Sequence, residues 1–296
     1  MAEIKPAFSE TNIPVCFACD NDFAKYTAVA VQSVIENASD KSNYDILVLN
    51  ENFDKETVNK FESLTQKNIS VRCVNISDFI SDIDKKINDV TKRKKIVYYR
   101  FFVPRIFSGY EKILYFDGDL VVEEDVAKLF ETDLSDYSIG AVNDIFMKIL
   151  LQRSKNWLRY LSEVLKMESP ENYFQSGVML FNIPKMLEEN ITEKLLERLK
   201  EVGEPMIVDQ DIYNSVCQNT VKFIEPVWNY DRNIEILIDE YDYSNEEINK
   251  LAELYEEVKK HPKIIHFAGS MKPWQYPLIN FAERWRYYEE KSVKFY

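Results

Sequence analysis

Residues 112–122 read KILYFDGDLVV: an apolar run, Ile113 to Phe116, passes directly into Asp117-Gly118-Asp119. Apolar residues in succession, with no polar alternation, suit a strand buried on both faces. Such a strand ends here in two carboxylates at a mouth. In an extended chain residues i and i+2 point to the same side, about 6.5 to 7 Å apart, so Asp117 and Asp119 can converge on one cation. Gly118 lets the backbone turn sharply between them. Oxygen donors suit a hard divalent ion, and Mg²⁺ or Mn²⁺ commonly bridges protein carboxylates to substrate phosphates. Two solvated loop aspartates are the plain alternative at this point.

Working outward toward the N-terminus, Val15 to Asp20 reads as a buried strand. Ala24, Ala28, Val31, Ile35 and Ala38 then repeat at helical spacing. Asp45 to Asn50 and Val71 to Ile76 are further strands, separated by a helix marked by Val58, Phe61 and Leu64. Tyr99, Phe102 and Val103 suggest a third helix, broken near Pro104. This alternation predicts an α/β chain, a parallel sheet with helices on both faces. Ligands of such sheets bind outside the carboxyl ends of the strands, where Asp20 and Asp117 both fall. The first turn, Asp20-Asn21-Asp22, holds no G-x-G-x-x-G, which disfavours a nicotinamide enzyme.

Toward the C-terminus a strand is expected at Ser138 to Asp144, then a helical piece with Trp157, Leu161 and Leu165 on one face. Tyr173 to Asn182 (YFQSGVMLFN) leads into another buried strand. Leu187, Ile191 and Leu195 continue as helix, Val208-Asp209-Gln210-Asp211 opens the next, and residues 244–260 form an acidic amphipathic helix. Lys263 to Trp274 (KIIHFAGSMKPW) is a short strand and a compact loop. There His266 offers an imidazole, Gly269 permits close backbone approach, and Lys272 supplies a point charge for a phosphate. A satisfied core histidine is the bland reading of His266.

The 296 residues carry 37 Lys plus Arg against 50 Asp plus Glu, a net charge of -13 that argues against nucleic-acid binding. An acidic protein that binds an anionic substrate needs a carboxylate-held metal and a few placed cations. The N-terminus has no apolar signal region and no long apolar run occurs, which predicts a soluble, cytoplasmic chain. Cys16 and Cys19 are formally C-x-x-C, but they would point to opposite faces of a strand and no second pair follows, so they read as core residues. The basic run Lys92 to Lys95 reads as a solvated face or as a lid toward an anionic group. With six glycines and no flexible linker, residues 1–280 read as one domain. Residues 281–296 form an aromatic and basic helical tail that either packs on the domain or touches the inner face of a membrane.

An apolar strand followed by DGDLVV also resembles the first motif of haloacid-dehalogenase-type phosphatases, in which Asp117 would be a nucleophile. That family sets the motif near the start of its core, whereas here three strands precede it. Taken together, Asp20-Asn21-Asp22, Tyr99-Arg100, Asp117-Gly118-Asp119, Asn143-Asp144, Phe174-Gln175-Ser176-Gly177, Asp209-Gln210-Asp211 and His266-x-x-Gly269-x-x-Lys272-Pro273-Trp274 resemble the retaining glycosyltransferases of family 8. The likeness runs from about residue 13 to 277, is most specific in the last segment, and displaces the phosphatase reading. The bacterial lipopolysaccharide galactosyl- and glucosyltransferases are similar in size and motif order.

The resemblance implies the GT-A fold, with a Rossmann-like mixed sheet and helices on both faces. It implies Asp117, Asp119 and His266 as ligands of Mn²⁺, with Mg²⁺ as the alternative ion, and a UDP-glucose or UDP-galactose donor with a saccharide or glycolipid acceptor. By the same likeness Asp20 faces the uracil, Asp22 the ribose, and Gly269 and Lys272 the diphosphate. Gly118 lies within the metal motif, Arg100 and Asp209 contact the donor sugar, Asp144 lies toward the acceptor, and Gln210 sits beneath the anomeric carbon. Gln175 and Ser176 line the donor-sugar region. Asp22 and Gln175 stand where asparagine is familiar in the galactosyltransferases, which leaves the sugar open. Loops 145–172 and 230–262 are expected to build the acceptor pocket. A non-catalytic sugar-nucleotide-binding protein is the remaining alternative.

Overall fold

The computed structural model describes residues 4–80, 95–239 and 245–294. Lys92 to Lys94 of the basic run lie outside the described residues.

A seven-stranded sheet has the order β3-β2-β1-β4-β7-β6-β8, made of β1 (Asn12–Ala18), β2 (Asn43–Asn50), β3 (Ile69–Asn75), β4 (Lys112–Phe116), β6 (Ile139–Asn143), β7 (Phe174–Asn182) and β8 (Val221–Phe223). A smaller sheet has the order β5-β10-β9, from β5 (Leu120–Val122), β9 (Tyr230–Asp231) and β10 (Ile264–His266). The parallel sheet expected from the alternation holds for β3, β2, β1 and β4. Beyond β4 it gives way, because β7 runs antiparallel to both β4 and β6. A helix between two strands permits parallel pairing but does not compel it. The whole is therefore a mixed sheet.

Period-2 alternation sorts the strands onto two cores. Val15, Phe17, Leu114 and Phe116 face one side with α1 (Asn21–Glu36), while Cys16, Ile113, Tyr115 and Phe181 face the other. α1 follows β1 at once because Asp20 accepts a hydrogen bond from Phe23 N (2.9 Å), capping the first turn. Its Ala24 and Ala28 let it lie close to the sheet, so close that a Cβ on Gly118 would meet Thr27 Oγ1 at 2.3 Å.

Residues 95–102 form a 3-10 helix and Val103–Ile106 a short α-helix, in place of one broken helix. Lys95 and Tyr99 tie this segment to Glu51 at 2.7 and 2.6 Å. β5, β8 and β9, two or three residues each, were not foreseen: they are too short to carry a periodic pattern. The small sheet forms a third core with helices Glu246–Lys260 and Ala282–Lys291. In the latter helix Trp285 and Tyr288 are buried, and Tyr288 OH bonds Asn37 of the α1 C-cap at 2.9 Å. Cys16, Cys19, Cys73 and Cys217 are free thiols; Cys16 and Cys19 lie in opposite cores. Among the described residues no helix is long and apolar enough to cross a membrane.

Candidate active site

The site forms where β4 ends. Asp117 N donates to Gly177 O (2.8 Å), which ties the DGD turn to β7. Phe267 N donates to Asp119 O (2.9 Å), which ties it to β10. These two backbone bonds carry His266 to the carboxylates. One ligand atom from each of Asp117, Asp119 and His266 lies within 4.8 Å of the others.

The two carboxylates divide their oxygens alike. Asp117 Oδ1 accepts from Arg100 Nη2 (2.6 Å) and Asp119 Oδ2 from Lys272 Nζ (2.5 Å). The other oxygens, Asp117 Oδ2 and Asp119 Oδ1, face His266 Nε2 at 3.7 and 3.2 Å. Two carboxylate oxygens and an imidazole nitrogen around one point fit a divalent ion such as Mn²⁺. Burial pushes the Asp119 carboxyl up, but the Lys272 charge and His266 outweigh it and hold the group below the usual carboxylate range. Burial alone would lower His266, yet Asp119 and Asp117 raise it.

Arg100 joins this triad to a second chain of groups. Its Nη1 donates to Ser176 O (2.8 Å), and its Nε lies 3.2 Å from Asp209 Oδ2, an ion pair without hydrogen-bond alignment. Burial works against the guanidinium, but Asp117 and Asp209 raise its pKa, so it stays charged. Ser176 Oγ donates to Asp209 Oδ2 (3.1 Å) and Ser176 N to Gln210 Oε1 (3.0 Å). Gln210 Nε2 in turn donates to Asp144 Oδ2 (2.8 Å). Burial lifts Asp209 to about 6 against Arg100, and lifts Asp144 to about 7 with help from Asp231.

Helix Val208–Cys217 presents Asp209 and Gln210 from an unusual start. Val208, a β-branched residue, has φ 37, in the sterically costly left-handed region. Asp211 holds that turn by accepting from Ile207 N (2.7 Å), Tyr160 OH (2.6 Å) and Tyr173 OH (2.6 Å). Asn214 secures the start of β7 through both backbone groups of Phe174.

A cleft of about 360 Å³ adjoins the triad, lined by Asp20, Phe23, Val97, Arg100, Asp117 and Gly118 among others. Asp22 is exposed and opens instead onto the neighbouring surface groove with Asp54 and Lys60. Gly269 has φ 75, and a Cβ there would meet Asn233 Oδ1 at 2.4 Å, so the 266–274 loop requires glycine at this point. Trp274 stacks on Tyr26 of α1 with centroids 3.9 Å apart, docking that loop beside the cleft. Gln175 is buried behind His266, where its amide meets Gly177 N, Asn229 and the imidazole. Asn229, Asp231 and Asn214 were not singled out from the sequence. They lie in segments with no period or motif, and their partners are distant in the chain.

A family model described as glycosyl transferase family 8 matches residues 14–277. The chain belongs to glycosyl transferase family 8. The family 8 chain is 26% identical over 282 residues to the glycosyltransferase GlyF of Streptococcus pneumoniae, covering 93% of this chain and 61% of GlyF. It is 23% identical over 278 residues to the lipopolysaccharide 1,3-galactosyltransferase of Salmonella typhimurium, covering 90% of this chain and 75% of that protein. Among solved structures, the apo form of the bifunctional glycosyltransferase WbbM superposes with a TM-score of 0.85 at 26% identity. It covers 98% of this chain and 51% of the WbbM chain. This family 8 chain thus has the GT-A fold and spans less than two thirds of the length of GlyF and of WbbM.

Proposed function

We propose that this chain is a retaining, Mn²⁺-dependent hexosyltransferase that moves galactose or glucose from a UDP-sugar to a saccharide or glycolipid acceptor. The observation that carries the reading is the division of the Asp117 and Asp119 oxygens. Each carboxylate gives one oxygen to a protein cation and turns the other toward His266 Nε2. A divalent ion held there would neutralise charge that builds on the leaving diphosphate.

The chain's own residues do the rest. Lys272 brings a second positive charge to the same place, and Gly269, at φ 75 and packed against Asn233, sets the course of the loop that carries it. Asp20 and the cleft beside Phe23 take the uracil. Arg100, gripped by Asp117 and Asp209, is a rigid donor fork for sugar hydroxyls. The Ser176 backbone N–H identifies Gln210 Oε1 as the amide oxygen, so the Gln210 carbonyl is oriented before substrate arrives. An amide is a poor nucleophile, and we favour attack by the acceptor hydroxyl on the face that the diphosphate leaves. The carbonyl of Gln210 then steadies the cation-like anomeric centre, and Asp144, hydrogen-bonded to Gln210 Nε2, lies toward the acceptor. Residues 1–280 would form the catalytic unit, working in the cytoplasm.

The test is UDP release from UDP-glucose and UDP-galactose, each with Mn²⁺ and with chelator, for wild type and Asp119→Asn. Release that needs the metal and is lost in the folded variant is expected. Equal release in chelator, or full activity of the variant, would remove the triad from the reaction. Tight donor binding without turnover would mark a sugar-nucleotide sensor instead.

A further inference from the structure

We infer that Gln175 and Asn229 are positioning residues which fix the tautomer of His266 by relaying the direction of one backbone N–H. This rests on the reading of Asp117, Asp119 and His266 as a metal site. The relay begins at Gly177, whose backbone N–H can only donate. It lies 2.5 Å from Gln175 Oε1, so that atom is the amide oxygen. Asn229 Nδ2 lies 2.7 Å from the same oxygen and must be the NH₂ end. The Asn229 carbonyl is thereby turned to His266 Nδ1 at 3.1 Å, and Nδ1 carries the hydrogen. A neutral imidazole protonated at Nδ1 keeps its lone pair on Nε2, the nitrogen that faces both carboxylates.

Reversing either amide breaks the chain. A flipped Asn229 would set its oxygen against Gln175 Oε1, and a flipped Gln175 would set NH₂ against the Gly177 N–H. The remaining contact, Gln175 Nε2 to His266 Nδ1 at 3.3 Å, brings two donors together in this arrangement and makes no hydrogen bond. Gln175, Asn229 and His266 are 9%, 5% and 2% exposed, so bulk water does not compete for these groups. The ring is also held sterically: a Cβ on Gly177 would lie 2.2 Å from His266 Cε1. The longer side chain at position 175 therefore serves the imidazole from behind.

The tautomer is read directly from long-range ¹H–¹⁵N spectra of the imidazoles. The chain has two histidines, and His261→Gln leaves one signal. The relay requires the hydrogen on Nδ1 whether or not Nε2 also carries one, so a protonated Nδ1 is expected in the neutral ring; a bare Nδ1 with the ring's proton on Nε2 overturns the relay. Binding of Mn²⁺ alone, followed by the electron paramagnetic resonance of the free ion, supplies the second readout. Asn229→Leu should weaken binding by about tenfold or more, Gln175→Met by less, and Asn229→Asp, which keeps an oxygen toward Nδ1, should recover part of the loss. Wild-type affinity in a folded Asn229→Leu also overturns the proposal. If that variant does not fold, the spectrum and Gln175→Met still decide it. Asp119→Asn separates the two readings: Mn²⁺ uptake equal to wild type removes the metal site, while the spectrum still tests the relay.

Discussion

Asp144 sits under two opposing demands. It caps helix Ile145–Arg153 by accepting from Met147 N (2.9 Å) and it accepts from Gln210, yet it is buried near Asp231 with no cation among the described residues bonded to it. Its carboxyl moves from an ordinary 3.8 up to about 7 on folding. Between those values the folded chain binds the extra proton. Stability from this group is therefore complete below about pH 4 and is lost as pH rises through 7. Asp144→Asn keeps an oxygen for the cap and removes the titration. Urea unfolding across this range should show a flatter slope in the variant, with a difference on the order of a few kcal/mol at pH 7. Parallel curves for the two proteins would mean that Asp144 is ionised throughout.

At the level of elements, helix Val208–Cys217 is the part whose placement matters most, because it carries Asp209 and Gln210. Its strained first residue is held by one carboxylate that satisfies three donors. Asp211→Ala should cost about 3 kcal/mol in urea unfolding, since each buried donor left unpaired costs roughly 1–3 kcal/mol. kcat should fall more than KM rises. Asp211→Asn, which retains one oxygen, should recover part of both losses. An alanine variant of native stability and activity would show that the helix start needs no brace.

Across the whole molecule, helix Ala282–Lys291 belongs to the third core. Trp285 packs against Tyr26 and Trp274, and Lys291 pairs with Glu36 of α1. Trp285→Ala should therefore cost about 3–5 kcal/mol, and truncation after residue 280 should lower the melting temperature. With Trp285 and Tyr288 turned inward, full-length and truncated chains should float equally with liposomes. Flotation lost only on truncation would assign the tail to a membrane surface.

The sequence by itself determined the buried strand that ends in Asp117-Gly118-Asp119, the alternation that builds the parallel half of the sheet, and the motif series that marks the family. Each is assembled from local signals: a run of apolar residues, a helical period or a fixed spacing is written within about 15 residues. The tertiary structure alone decided the antiparallel course of β7, which brings Gly177 to Asp117 and Gln175 to His266. It alone decided the pairing of β9 with β10, which sets Asn229 and Asp231 beside the imidazole. Gln175, Asn229 and His266 are separated by 54 and 37 positions in the chain. Their meeting depends on strand register and on the direction of backbone hydrogen bonds, which no local periodicity encodes.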